Sequence, residues 1–211
     1  VFLNDYKDVQ IPGSVGLDED GDGINESFIG ITSNAASADI QGIEWEGAAI
    51  LGHDLGRSGS ELRLMWAIGY IDAEFNEFID AFGQDVADQR TFQNTPEWTA
   101  STTLSYDLPV NLFNRSGNLG FITSLAYRDD HSQFEVPTPE LDQDAYTLWD
   151  LSVVWTDDAG RWQAGLHGKN LGDKEYKTAG YYFPTTGLEG NITAFYGNPR
   201  QIWGTVEYRW Y

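Results

Sequence analysis

The sequence predicts an all-β fold: an antiparallel, up-and-down transmembrane β-barrel segment of about eight strands. Three observations predict it. Long runs alternate strictly between apolar and polar residues. The connections between those runs alternate between short and long. Aromatic residues gather toward the ends of the runs.

The opening run, Phe2 to Gln10, alternates only weakly. In the next, Ile43, Trp45, Gly47, Ala49 and Leu51 oppose Glu44 and Glu46. Leu62, Leu64, Trp66, Ile68 and Tyr70 then share a face. The clearest run is Glu97 to Leu108. Trp98, Ala100, Thr102, Leu104, Tyr106 and Leu108 fall on one side of it. Glu97, Thr99, Ser101, Thr103, Ser105 and Asp107 fall on the other. Side chains of a strand alternate across its two faces, so this is a strand between two different solvents. Leu119, Phe121, Thr123, Leu125 and Tyr127 form the next apolar face, and Thr147, Trp149, Leu151, Val153 and Trp155 another. Trp162, Ala164, Leu166 and Gly168 oppose Gln163, Gly165, His167 and Lys169. The last run sets Ile202, Gly204, Val206, Tyr208 and Trp210 against Gln201, Trp203, Thr205, Glu207 and Arg209.

Short connections are expected at His53 to Gly59, Pro109 to Gly117 and Asp157 to Gly160. Long ones are expected at Ile11 to Asn34, Glu77 to Thr95, Asp130 to Asp144 and Leu171 to Pro199. Barrels with short periplasmic turns and long outer loops alternate in this way. The expected placement has Leu64, Trp66, Leu104, Tyr106, Leu125, Leu151 and Val206 facing lipid. Arg63, Thr103, Ser124, Gln163 and Glu207 face the concave side, and both chain ends lie on the short-turn side. Trp45, Tyr70, Trp98, Tyr106, Tyr127, Trp155, Trp162, Tyr208 and Trp210 sit near strand ends, where interfacial girdles need aromatics. Nothing divides the chain, so residues 1–211 read as one unit.

Composition narrows the function. The formal net charge is −21, from 33 acidic and 12 basic residues. That field repels phosphate backbones and argues against nucleic-acid binding. Aromatics make up 14% of the chain, far too many for a solvated acidic tail. The chain has no cysteine, so it has neither disulfides nor thiolate metal sites. No run approaches the ~20 apolar residues of a membrane helix, but a barrel strand needs only about 9–11 residues, half of them facing lipid.

One loop carries sharp chemistry. In LDEDGDGINESF, Asp18, Asp20 and Asp22 repeat at the alternate spacing of a calcium loop. Gly23 provides the turn, Ile24 a carbonyl, and Glu26 or Asn25 a further oxygen. Ile29 stands where a full EF-hand places its bidentate Glu, so a calcium site here is a short variant; the alternative is an acidic hairpin loop. His53, His131 and His167 are dispersed and suggest no metal cluster. Glu44 and Glu46 share one polar strand face, which lumen polarity explains without glycoside hydrolysis. No nucleophile, phosphate-loop or metalloprotease motif is present, so no enzyme is expected. Phe75, Phe78, Phe82, Phe134, Tyr181, Tyr182, Phe183, Phe195 and Tyr196 fall in the outer loops. They would either grip an apolar ligand or, the favoured reading, pack the loops together.

Several phrases carry a resemblance, in order along nearly the whole chain. They are FLNDYKDVQ, NAASADIQGIEWEG, GYIDAEFNEF with FQNTPEWTAS, YRDD, WQAGLHGKNLGDKEY and YGNPRQIWGTVEYRWY. Together they resemble the C-terminal part of TonB-dependent receptors. The most specific pair is an N-L-x-D-x-x-Y motif filled by Asn170, Leu171, Asp173 and Tyr176, and a G-x-P-R motif filled by Gly197, Pro199 and Arg200. In the family the first ends the penultimate strand and the second opens the last. The terminal strand, with Tyr208, Trp210 and Tyr211, matches the family's signal to the barrel assembly machinery. The family ends on one aromatic, whereas Tyr211 here follows Trp210.

The resemblance implies a portion of a barrel of roughly 22 strands closed around a plug. The plug and the earlier strands would precede Val1. It implies the outer membrane of a Gram-negative bacterium, contact with its lipid, and coupling to the TonB complex through the plug. It further implies uptake of a scarce small-molecule ligand, foremost a ferric siderophore or similar iron complex. Two alternatives stand beside it: a small porin-like barrel, and a secreted calcium-dependent glycan-binding β-module.

Overall fold

The computed structural model describes residues 1–17, 27–80, 83–112, 114–183 and 191–210. Eight strands form one antiparallel sheet, and two more form a separate hairpin. The strands are β1 (Phe2–Leu17), β2 (Ser27–His53), β3 (Glu61–Phe78), β4 (Trp98–Leu112), β5 (Arg115–Arg128), β6 (Tyr146–Asp157), β7 (Trp162–Lys169), β8 (Lys177–Phe183), β9 (Asn191–Tyr196) and β10 (Gln201–Tyr208). In the sheet each strand neighbours the next, up and down, from β1 to β7, and β10 then pairs with β7. β8 and β9 form the hairpin between them.

The register carries each predicted face across the sheet. Leu64 lies opposite Leu104, Leu104 opposite Thr123, Thr123 opposite Leu151, and Leu151 opposite Gly168. Ala164 lies opposite both Trp155 and Val206, extending the same face to the last strand. The polar set is equally continuous. Thr103 and Ser124 are cross-strand partners with their hydroxyls 3.0 Å apart, and Gln163 lies opposite Glu207. A hollow against the sheet is lined by Glu44, Glu46, Thr99 and Ser101 of the polar set, with Trp45, Ile68, Ala100 and Tyr127 of the apolar set beside them. The polar set is the one expected on the concave side.

Much of the apolar face is open, although Trp155 is buried: Leu104 is 36%, Leu125 46%, Leu166 58% and Val206 75% exposed. A soluble protein rarely shows so wide an apolar surface; a strand wall against lipid does. Tyr70 and Trp98 touch at 4.7 Å at one end of the wall, and Trp162 and Tyr208 at 4.6 Å at the other. The two pairs lie at opposite strand ends, where aromatics are expected from the sequence. The buried apolar cluster lies beyond the wall, in the outer part. Ala36, Phe78 and Val86 form it, with Val9, Phe75 and Ala87 against them.

Four expectations need correction. Much of Ile11 to Asn34 is strand, because β1 runs to Leu17 and β2 begins at Ser27. Residues 171–199 contain the β8–β9 hairpin, whose exposed aromatics pattern too weakly to be read as strands. Leu51 is the extra residue of a bulge, since Ile50 opposes Arg63 and Gly52 opposes Leu62. Only one chain end lies on the short-turn side. Tyr208 pairs with Trp162 there, whereas Phe2 pairs with Gly42, itself opposite Ile71 next to Tyr70 at the other end. β2 is long enough to pair with β3 along its lower half and with β1 above it. Among the described residues no ladder joins β1 to β10, so the sheet is open and does not form a small closed barrel.

Candidate functional site

β7 ends at Lys169, and the chain leaves the sheet through two residues in the left-handed region. Asn170 has φ of 47° and Asp173 of 51°. Asn and Asp tolerate that conformation better than other side-chain-bearing residues. Asn170 is buried, and each of its polar groups has a partner. Its Nδ2 donates to the carbonyls of Lys174 at 2.9 Å and Asn198 at 3.1 Å. Its Oδ1 accepts the Lys174 N–H at 2.9 Å, and its own N–H donates to Asp150 Oδ1 at 2.9 Å. A buried amide filled in this way holds its neighbours in one arrangement.

The two sequence motifs meet here. Asp173 Oδ1 accepts the Arg200 N–H at 2.9 Å, and its Oδ2 lies 3.5 Å from the Arg200 guanidinium. Arg200 Nη1 also donates to the Leu171 carbonyl at 3.4 Å. The Leu171 N–H donates to the Trp149 carbonyl at 2.8 Å, and its side chain fills the space beside Gly168. Tyr176 stacks on Tyr146 at 4.8 Å, and its other flank lies against Gly197, where a Cβ would run into the ring. The Gly197 N–H donates to the Tyr176 carbonyl at 2.9 Å. Pro199 sits between these contacts, just before β10, where its lack of an N–H breaks no ladder.

Above this cluster the outer loops brace one another. The Thr91 N–H donates to Glu135 O at 2.9 Å and the Asn94 N–H to Ser132 O at 2.8 Å, tying residues 79–97 to 129–145. Lys177 Nζ donates to Asp142 O, and the Lys177 N–H to Gln143 Oε1, both at 2.6 Å, tying 129–145 to the β8–β9 hairpin. Leu141 is fully buried beneath Gly180. Several of the aromatics expected in the outer loops serve this packing, but Phe75 and Phe78 lie in the last residues of β3: Phe75 stacks on Phe92 at 4.2 Å and meets Phe78 edge-on at 5.2 Å. Others are open. Tyr181 and Phe195 form an edge-to-face pair at 5.7 Å and are 55% and 48% exposed.

Charges follow the same division. Asp85 accepts the N–H groups of Phe78 and Ala87, which holds its carboxyl below the usual range. Burial pushes Glu135 up, against the pull of Arg90. Arg90 lies over the Phe78 ring at 5.2 Å. The histidines lie apart: His53 beside Glu61 at 3.6 Å, His131 in an outer loop, and His167 on the polar face between Ser152 and Thr205, 3.0 Å from each hydroxyl. Glu44 and Glu46 line the hollow against the sheet.

Asp18, Asp20, Asp22, Ile24 and Glu26 lie outside the described residues, as do Phe82 and Tyr211. Tyr208 touches Trp210 at 5.9 Å, and Trp210 is 81% exposed.

The family model described as TonB dependent receptor-like, beta-barrel matches residues 1–171. Among solved structures, the ferric yersiniabactin uptake receptor from Yersinia pestis superposes with a TM-score of 0.69 at 18% identity. The match covers 99% of this chain and 26% of that one, so the chain spans about a quarter of that receptor's length.

Proposed function

The chain belongs to the family of TonB-dependent receptor-like β-barrels, and on that premise we propose that it forms the C-terminal part of an outer-membrane receptor taking up a ferric siderophore or similar iron complex. The observation that carries this is the family match over residues 1–171. The wide open apolar face and the continuous polar face agree with it. In this reading the apolar wall meets outer-membrane lipid, and the concave face meets a plug contributed by the rest of the receptor. The TonB complex acts through that plug. The barrel assembly machinery takes the strand carrying Tyr208, Trp210 and Tyr211. The braced outer loops, with Tyr181 and Phe195 exposed, offer apolar surface to the small-molecule ligand. The role is transport rather than catalysis. We include calcium at Asp18, Asp20, Asp22, the Ile24 carbonyl and Glu26 as a structural ion of the β1–β2 loop.

The test is uptake of radioiron complexed to a panel of siderophores. It compares cells expressing the whole receptor, cells lacking it, and cells expressing only these residues. Uptake is expected from the whole receptor alone, and only while the membrane is energised. Uptake by the 211-residue chain alone, or none by the whole receptor with any iron complex, would overturn the reading.

A further inference from the structure

The β7–β10 seam raises a register problem that alternation does not solve. A one-residue slip turns every side chain to the opposite face, so the apolar and polar sets exclude it. A two-residue slip keeps every face. In an ordinary hairpin a short turn removes that freedom. Here β7 and β10 are joined through residues 170–200, an excursion carrying a hairpin of its own, whose length imposes no register. The observed register nevertheless places Lys169 opposite Gln201, Leu166 opposite Gly204 and Trp162 opposite Tyr208.

We infer that the cluster of Asn170, Asp173, Tyr176, Gly197 and Arg200 is a register lock for β10, independent of the outer hairpin that the excursion carries. Its contacts join the first residues after β7 to the last residues before β10. Asn170 holds Asn198, Asp173 holds the Arg200 N–H, and Tyr176 holds Gly197 by a backbone hydrogen bond and a ring face. A slip by two residues would break all three at once. Asn170 also binds Asp150, and Leu171 binds the Trp149 carbonyl, so the lock is referred to β6 as well. The β8–β9 hairpin begins at Lys177, just past Tyr176, and ends at Tyr196, just before Gly197, so it stands outside the lock. Strand register sets the shear of a barrel, and shear must be right for closure. The lock therefore fixes the stagger of the strand that stands at the edge of this sheet. Asn170 and Asp173 are positioning residues in this scheme.

These 211 residues carry no cysteine, so introduced pairs report the register once any cysteine elsewhere in the receptor is replaced by serine. In the whole receptor in outer membranes, Leu166→Cys with Gly204→Cys reports the observed register. Leu166→Cys with Ile202→Cys or Val206→Cys reports a two-residue slip. Cα separations across paired strands fall within disulfide reach. Only folded, heat-modifiable receptor is scored. The parent receptor should cross-link through the first pair. Asn170→Ala with Asp173→Ala should lower that yield about fivefold or more and raise a slipped pair. Thr205→Val, which removes the His167 contact across the same seam, should leave it unchanged. A receptor with residues 178–195 replaced by a short Gly-Ser link should keep the observed register. Unchanged cross-linking in the Asn170→Ala, Asp173→Ala receptor overturns the inference, and so does slippage in the shortened receptor. The shortened receptor decides alone where the substituted one does not fold. Failure of iron uptake with the register intact counts against the transport reading only.

Discussion

The ring of Tyr176 occupies the space that a side chain at residue 197 would need, and the Gly197 N–H donates to the Tyr176 carbonyl 2.9 Å away. Gly197 is thus present for close approach, because its backbone is the surface on which the ring rests. Gly197→Ala should destabilise the folded receptor by about 1–3 kcal/mol through overpacking. Tyr176→Ala should remove most of that penalty, so the double variant should be far from additive. Urea unfolding of the four proteins in detergent or bilayers measures it. Additive costs would mean that the ring and the glycine do not oppose one another.

The two faces of β4 should respond differently to charge. Leu104 belongs to the open apolar wall, and Thr103 hydrogen-bonds Ser124 on the polar side. Leu104→Arg should cost about 2–4 kcal/mol if it lies near the bilayer midplane. Thr103→Arg, facing the polar interior, should cost less. Reversible folding into lipid vesicles gives both values, and equal costs would refute the assignment of faces.

Acid should loosen the outer loop that follows β3. Asp85 has its carboxyl held below the ordinary range by the Phe78 and Ala87 N–H groups. A depressed folded value means that the stabilisation is full above the ordinary aspartate range. It is lost as pH falls from there through the folded value. Amide hydrogen exchange at Phe78 and Ala87 should therefore accelerate in that acidic window. Asp85→Asn should accelerate it at neutral pH. Protection that is indifferent to both would show that the carboxylate does not hold the loop.

Calcium should bind the loop of Asp18, Asp20 and Asp22. Three carboxylates at alternate positions repel one another when bare, and a divalent cation removes that repulsion. The affinity expected is on the order of 10⁻⁴–10⁻³ M, as in extracellular modules, because no bidentate Glu completes the site. Calorimetric titration should give heat with the parent protein and little with Asp20→Ala, Asp22→Ala. Equal heats, or none from either at millimolar calcium, would reduce the segment to an acidic hairpin.

Alternation by itself determined much of this protein. Each run it marked, from Phe2 to Tyr208, became a strand of the main sheet, and the face of Thr103 was separable from that of Leu104. The reason is physical: a strand between lipid and a polar interior must alternate along its whole length, so the signal is local and repeated. The motif residues Asn170 and Arg200 were legible one at a time, but not their meeting. The Asn198 carbonyl that Asn170 binds, 28 residues along the chain, and the glycine under Tyr176 are brought there by chain folding, which no local period encodes. Even-numbered register was equally hidden, because a two-residue slip leaves every face unchanged. The β8–β9 hairpin escaped because both of its sides carry apolar residues, Tyr182 and Ile192 on one and Tyr181 and Phe195 on the other. Only the tertiary structure decided those points, since each depends on which distant backbone group arrives to meet a side chain.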